Sequence, residues 1–354
     1  MQKYTTIGMD LGDETHSVCV IDQSGKLVTE GTVANTISAI KTFAAGWPEA
    51  RTVLEAGTHS PWISRLLERA GHTVIVANPR KVRLIWQRGN KSDRSDAEVL
   101  ARLGRVDPEL LAGVRHRGEQ AQADLAVLHA REVLVKSRTA LINYLRGAVK
   151  SLGGRLPRCS AESFARRVEP HLPELLRAAL EPLLITLTEL NTRIRAYESQ
   201  IQQLASERYP ATEQIRQVPG VGPITALAWV LILGEAARFA DGRHAGAYVG
   251  LTPRRDQSGA CERQLRISKM GNGLLRRLLV SAAHYVLGPF GPDGRLRQWG
   301  LKLAERGGKN GKKRAVVATA RKLAVILWRL WRSPVKYDPW HLPVRGGQNR
   351  TAAA

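Results

Sequence analysis

Residues 4–33 read YTTIGMDLGDETHSVCVIDQSGKLVTEGTV, and the pattern of this stretch decides the fold. YTTIGMDL and SVCVID are short runs rich in β-branched and apolar residues, separated by GDETH, and the turn QSGK leads into a third run, LVTEGTV. A helix is predicted over 36–45, then the strand TVLEAG, a helix over 60–70, and the strand TVIVAN, which ends at Pro79. Strands first, then helix alternating with strand, predict a mixed sheet covered by helices. The helix DRSDAEVLARLGR closes the region.

Four acids stand out in it: Asp10 in IGMDLGDETH, Glu55 in VLEAG, and Asp93 with Asp96 in KSDRSDAEVL. The first two end strand-type runs. The other two lie three apart at a helix start, so both project from one face and repel each other unless a cation is held between them. Gly8 and Gly12 allow other groups to approach Asp10 closely. Mg²⁺ suits such a set, because it binds through few carboxylates plus substrate phosphate, and paired metals stabilise both the attacking and the leaving oxygen of a phosphoryl transfer. Each acid also has a plainer reading: Asp10 as a turn acid, Asp93 as a helix N-cap, Glu55 as a solvated strand-end charge.

The surrounding chain is strongly basic. Of 354 residues, 54 are Lys or Arg against 31 Asp or Glu, a net charge of +23 with pI near 10.7. That surplus favours a polyanionic partner, since each neutralised phosphate releases counterions. With 5% aromatics, base stacking is not the main mode of contact. No apolar run reaches the length of a spanning helix, and MQKYTTIGMD has no signal-peptide pattern. Cys19, Cys159 and Cys261 are isolated, which fits a reducing cytoplasm and makes neither a disulfide framework nor a zinc site.

After Glu119 the pattern becomes helical as far as Leu152. A second helix is predicted after Pro182, where Leu183, Leu187, Leu190, Ile194, Tyr197, Ile201 and Leu204 alternate four and three apart. This a/d seam fits either a coiled coil between chains or a long hairpin folded on itself. Between the helices, GGRLPRCSAESFARRVEPHLP reads as a linker. From Ala211, VPGVGPITALAWVLI reads as a hairpin followed by a helix with Pro223 in its first turn. Its PGVG segment, with Gly220 and Gly222, is either a phosphate-binding hairpin of the helix-hairpin-helix kind or a plain corner. A loop, LTPRRDQSGACERQLRISKMGN, then leads into the helices GLLRRLLVSAAHYVL and KKRAVVATARKLAVILWRLW. The domains predicted are 1–115, 116–210 and 211–340, with a disordered tail over 341–354.

In that loop Ser258 lies between Arg254, Arg255 and Arg263, with Arg266 and Lys269 beyond. A serine among cations can attack a phosphodiester, the guanidinium groups stabilising the developing charge. A simple Ser-Gly turn, or Ser268 in the same role, competes with this reading. Nucleic-acid contacts are also assigned to Arg80, Lys81, Arg83 and Lys91 ahead of the acidic helix, and to Asn272 and Arg276 at the start of the helix after the loop. The nine His residues show no metal-ligand spacing.

GMDLGDETH, VLEAG, ANPRKVRLIWQRGNKSDRSDAEVLARL, VPGVGPITA and YVGLTPRRDQSGACERQLRISKMGNGLLRRLLVSAA span nearly the whole chain. In this order they resemble the DEDD transposases of the insertion sequence 110 family, which includes the pilin-gene invertases. The resemblance implies an α/β plus all-α protein. Its N-terminal domain would be RuvC-like, of the RNase H type, with Mg²⁺ on Asp10, Glu55, Asp93 and Asp96. A helical coiled-coil middle and a mostly helical C-terminal transposase domain would follow, the nucleophile mapping to Ser258. It further implies homodimers or homotetramers whose composite sites draw carboxylates and serine from different subunits. A structured non-coding bridge RNA would pair with donor and target DNA. The competing functions are a RuvC-like, metal-dependent nuclease or junction resolvase and a non-catalytic helix-hairpin-helix binding protein. A sugar-kinase or actin-like ATPase is suggested by MDLG alone, without a second Gly-rich phosphate motif downstream.

Overall fold

Alternating apolar residues in the opening stretch build strands β1 (Thr6–Leu11), β2 (Thr15–Ile21) and β3 (Leu27–Ala34), joined as antiparallel neighbours. The computed structural model describes residues 5–85, 92–258, 261–308, 310–333 and 335–340, and the side chains of 83–85, 261, 262 and 264 are outside that set. Helix α1 (Ile37–Ala45), capped by the Thr36 hydroxyl accepting from Ala39 N–H, leads to β4 (Arg51–Glu55). Then come α2 (Ser60–Arg69), β5 (Thr73–Ala77), α3 (Pro79–Ile85) and α4 (Asp93–Val106). The sheet order is β3-β2-β1-β4-β5, with β4 parallel to β1 and β5 parallel to β4. This is the mixed sheet expected.

The two faces of the sheet have different partners. Met9, Val18, Leu54 and Val76 form one core with Ile40, Ile63 and Leu67 of α1 and α2. The alternate positions face α4: Cys19 and Ile21 pack on Ala97 and Ala101, and Val53 and Ala77 pack on Leu100. Helix α3 was not predicted. Pro79 sits in its first turn and the Asn78 side chain accepts from Arg80 N–H, so a seven-residue helix forms without an apolar periodicity of its own.

The remainder, from Glu119 onward, is a second compact unit. It contains α5 (Glu119–Ser151), α6 (Phe164–Val168), α7 (Glu174–Arg208), α8 (Ala211–Arg216), α9 (Pro223–Leu233) and α10 (Gly242–Tyr248). The hairpin β6 (Pro253–Ser258) and β7 (Cys261–Ile267) is followed by α11 (Gly273–Leu287), α12 (Arg295–Glu305) and α13 (Gly311–Arg332). Helix α9 is apolar on every side and buried from Thr225 to Leu233, as expected of a helix at the centre of a core. Around it pack Leu125 and Leu128 of α5, Ile201 and Leu204 of α7, and residues of α11 and α13. The regions predicted as 116–210 and 211–340 thus share one hydrophobic core. The tail 341–354 lies outside the described residues.

The heptad seam closes within the chain. Leu145 and Val149 of α5 cluster with Leu180, Leu184 and Leu187 of α7, while Leu125 and Leu128 meet Ile201 and Leu204, so the two helices run antiparallel. Between these apolar ends, where Ile194 is also buried, polar contacts join the helices: Arg131 pairs with Glu198, and Arg138 donates to Asn191 Oδ1 at 2.8 Å.

Three sequence expectations need correcting. Helix α7 starts at Glu174 and carries Pro182 inside it. Leu180 and Leu184, buried on either side of the exposed proline, hold the helix together across the missing hydrogen bond. The supposed linker 153–173 contains α6 and buries Leu156, Phe164 and Val168. The supposed loop around Ser258 is the β6–β7 hairpin. Among the described residues, no helix is long and apolar enough to cross a membrane.

Candidate active site and nucleic-acid interface

The acids of the first unit are placed by strand register. Met9 pairs with Leu54 in the parallel β1–β4 ladder, so the next position brings Asp10 level with Glu55 at the carboxyl ends of adjacent strands. Gly8 and Val53, two residues earlier on each strand, both meet α4, so alternation puts Asp10 and Glu55 on the α4 face. The helix crosses with its last turn near the strands' starting ends, where Arg51 donates to Gly104 O at 3.0 Å and Arg105 to Gln23 O. Its first turn therefore lies toward Asp10. Asp93 precedes Ala97 by one turn and Asp96 precedes Leu100 by one turn, both of which face the sheet. Ser92 caps the helix by accepting from Ser95 N–H, so capping does not explain Asp93.

Two contacts not foreseen in the sequence shape the rim. Asp13, just past Asp10, accepts from His59, just past Glu55, at 3.0 Å. Trp62 Nε1–H donates to the other His59 nitrogen at 3.4 Å, which leaves Nε2 to carry the proton given to Asp13. The buried Ser60 hydroxyl bonds His116 Nε2 at 2.9 Å, and burial, followed by the charges of Arg65 and Arg117, holds the His116 pKa below its ordinary value. Pairs separated by 46 and 56 residues leave no periodic trace in a sequence.

The four carboxylates are hard oxygen donors, which suits a divalent cation such as Mg²⁺. Asp10 and Glu55 share a row and a face, which fits one ion held between neighbouring strands. The full set is less closely gathered: among the described residues, no three or more His, Cys, Asp or Glu side chains are grouped tightly enough to hold a metal ion.

In the second unit, Ser258 ends β6 at the hairpin tip, its backbone in register with Cys261, and it is exposed. Asp256 faces Arg263 across the hairpin, and alternation puts Asp256 and Ser258 on one face and Arg255 on the other, while the register shifts between Pro253 and Arg255, at Arg254. Arg254, Arg255, Arg263 and Arg266 are all exposed. Ser268 lies just past β7, where its amide donates to Thr252 O at 2.8 Å.

The base of this hairpin is fixed by backbone contact. A Cβ on Gly250 would lie 2.0 Å from Met270 O, and one on Gly271 would lie 1.9 Å from Tyr248 O. Arg276 donates to Val249 O at 3.0 Å and to Met270 O at 3.3 Å, and Asn272 caps α11 by accepting from Leu275 N–H.

Known proteins similar to this chain are transposases. The model of the DEDD transposase of the IS110 type matches residues 7–153, and that of the transposase IS116/IS110/IS902 family matches residues 212–296. The chain is 32% identical to the transposase for insertion sequence element IS1111A of Coxiella burnetii, over 93% of this chain and 90% of that protein. The chain belongs to the IS110 family of transposases. It is also 31% identical to a probable family 20 transposase of Pseudomonas aeruginosa, over 94% of this chain and 98% of that protein. To the pilin gene-inverting protein of Moraxella lacunata it is 31% identical over 34% of this chain and 37% of that protein.

The remaining residues assigned to nucleic acid in this IS110-family transposase occupy varied settings. Arg80 and Lys81 are exposed on α3. The side chain of Arg83, and Lys91 altogether, lie outside the described residues. Gly220 packs against α11, where an added Cβ would meet Ala282 O and Tyr285 at 3.0 Å, whereas Gly222, the residue before α9, has open space around it. Lys269 is exposed and takes a left-handed backbone, φ 54°, beside the Gly250 crossing.

Proposed function

We propose that this IS110-family transposase cuts and rejoins DNA with a divalent cation, Mg²⁺, held by Asp10, Glu55, Asp93 and Asp96, and with Ser258 as nucleophile. The observation that carries the first half is the register that brings Asp10 level with Glu55 on the face covered by α4. Asp10, Glu55, Asp93 and Asp96 would hold the cation, which would supply polarisation of the scissile phosphate. Ser258, displayed at the end of the strand that carries Arg254 and Arg255, loses its hydroxyl proton as Oγ attacks phosphorus. The P–O3′ bond breaks, the departing 3′ oxygen takes a proton, and the 5′ phosphate remains on serine, conserving bond energy for rejoining. Arg254, Arg255, Arg263 and Arg266 hold the strand by its phosphates. Lys269, Asn272 and Arg276 act through the loop that supports the hairpin, and Arg80, Lys81, Arg83, Lys91, Gly220 and Gly222 contribute further backbone contacts.

The protein would act in the bacterial cytoplasm as a homodimer or homotetramer. A non-coding bridge RNA would supply the pairing, leaving the protein to read backbone and shape.

The test is a trapping experiment with the full chain, Mg²⁺, DNA carrying the element's ends and the non-coding RNA transcribed from those ends. The wild type gives a covalent adduct that maps to Ser258. Ser258→Ala gives none, while Ser268→Ala does. Cleavage that persists in Ser258→Ala without an adduct would turn the reading to a RuvC-like hydrolase, and function surviving Asp10→Ala would turn it to a non-catalytic binding protein.

A further inference from the structure

The tip of the α5–α7 hairpin carries a cavity of about 660 Å³ that the carboxylate and serine chemistry does not use. Its walls present Arg146, Lys150, Arg155 and Arg158 around the Gly153–Gly154 turn, with Leu156 as the one apolar residue and no acidic group.

The site is built on a folded platform. Leu156 and Phe164 are buried in the core that joins Leu145 and Val149 of α5 to Leu180 and Leu184 of α7. Arg146 is fixed in the wall, donating to Pro157 O at 3.2 Å with its guanidinium 5.1 Å from the Phe164 ring centre. The other three cations are exposed. Capping of α5 does not explain them, because the amides of Gly153 and Gly154 already bond the carbonyls of Lys150 and Val149.

Four cations in a concavity of this size, with no carboxylate to offset them, favour a ligand that brings several negative charges. The lining has no aromatic face for a base and no apolar bed for a small organic molecule. We propose that this cavity is a sequence-independent docking site for a phosphodiester backbone, reading charge alone, at the far end of the hairpin from the α9 core.

The proposal does not depend on which residues perform strand cleavage, so its test measures binding and no reaction. Full-length protein is titrated by fluorescence anisotropy with a short DNA duplex and with a single-stranded RNA of equal length, both of arbitrary sequence, over a range of salt. For the occupant, Lys150→Ala/Arg155→Ala/Arg158→Ala makes the slope of log affinity against log salt shallower by about 2 to 3. A charge-matched variant altered at exposed lysines elsewhere, Lys26→Ala/Lys41→Ala/Lys302→Ala, keeps the wild-type slope. The single changes Arg155→Ala and Arg158→Ala each remove about one unit, which keeps the test valid should the triple variant fold poorly. A loss on duplex alone identifies DNA as the occupant, and a loss on RNA alone identifies RNA. An unchanged slope with both probes, or an equal loss in the charge-matched variant, overturns the proposal.

Discussion

Gly8 and Ala97 meet backbone to backbone: a Cβ on Gly8 would lie 1.9 Å from Ala97 O and 2.5 Å from Ala101 N. This contact seats α4 on β1, so the helix bearing Asp93 and Asp96 owes its position to the absence of one side chain. Gly8→Ala is expected to destabilise the first unit by about 1–3 kcal/mol or more, since neither partner is a flexible side chain that can move aside. Gly57→Ala, where nothing lies within 4 Å, is expected to stay within about 0.5 kcal/mol of wild type. Urea denaturation measures both, and DNA cleavage should fall in the first variant only.

The proposed binding of a cation by the four acids predicts stabilisation by mass action. Added Mg²⁺ should raise the melting temperature of the wild type, by about 2.7 kcal/mol in stability at a hundredfold excess over Kd. Asp10→Asn and Glu55→Gln should each shrink that increment, and the double variant should abolish it. A wild type whose melting ignores Mg²⁺ and Mn²⁺ would remove the metal assignment, whatever the cleavage assays show.

Tyr209 donates to the buried Asp124 at 2.7 Å, and Arg208 reaches the same carboxylate at 2.9 Å. Burial, then the hydrogen bond and charge of Asp124, push the Tyr209 phenol up to about 12. Tyr209→Phe should cost about 1.5–3 kcal/mol, the value of a hydrogen bond to a charged group. In ultraviolet titration it should remove a phenol that ionises above the ordinary tyrosine range.

The first unit should lose stability in mild acid. Burial holds the pKa values of His16, His72 and His116 below that of a free imidazole. The unfolded chain therefore takes up protons that the folded chain refuses, and stability falls as pH drops from about 6.5 toward the folded values. His72 shows why: Thr52 Oγ1 lies 2.8 Å from Nδ1 and Ala44 O lies 3.2 Å from Nε2, so a second ring proton would face the hydroxyl. Melting temperatures between pH 7.5 and 5 should fall, and His72→Gln should flatten the dependence.

Much of the fold was legible in local patterns. The opening strands, the helix α4 and the 33-residue helix α5 follow from alternation and helical periodicity, which act over neighbouring residues. Their limits show equally well. Pro182 reads as a helix start until the burial of Leu180 and Leu184 is known. PRRDQS and CERQLRI lack the apolar alternation of a half-buried strand, because their hairpin is exposed along β6 and pairs through its backbone.

For the candidate site, the sequence by itself determined which residue types are on offer: four carboxylates in and beside strand- and helix-type runs, a serine among arginines, and a net charge of +23 that favours a polyanion. Residue type and local periodicity suffice for that. Only the tertiary structure decided that Asp10 stands level with Glu55 beneath α4, that the heptad seam is spent on α5, and that an apparent linker is a folded basic pocket. Each of these depends on register and close packing between segments tens of residues apart. Steric fit, such as the missing Cβ of Gly8 against Ala97, sets those relationships, and no run of neighbouring residues encodes it.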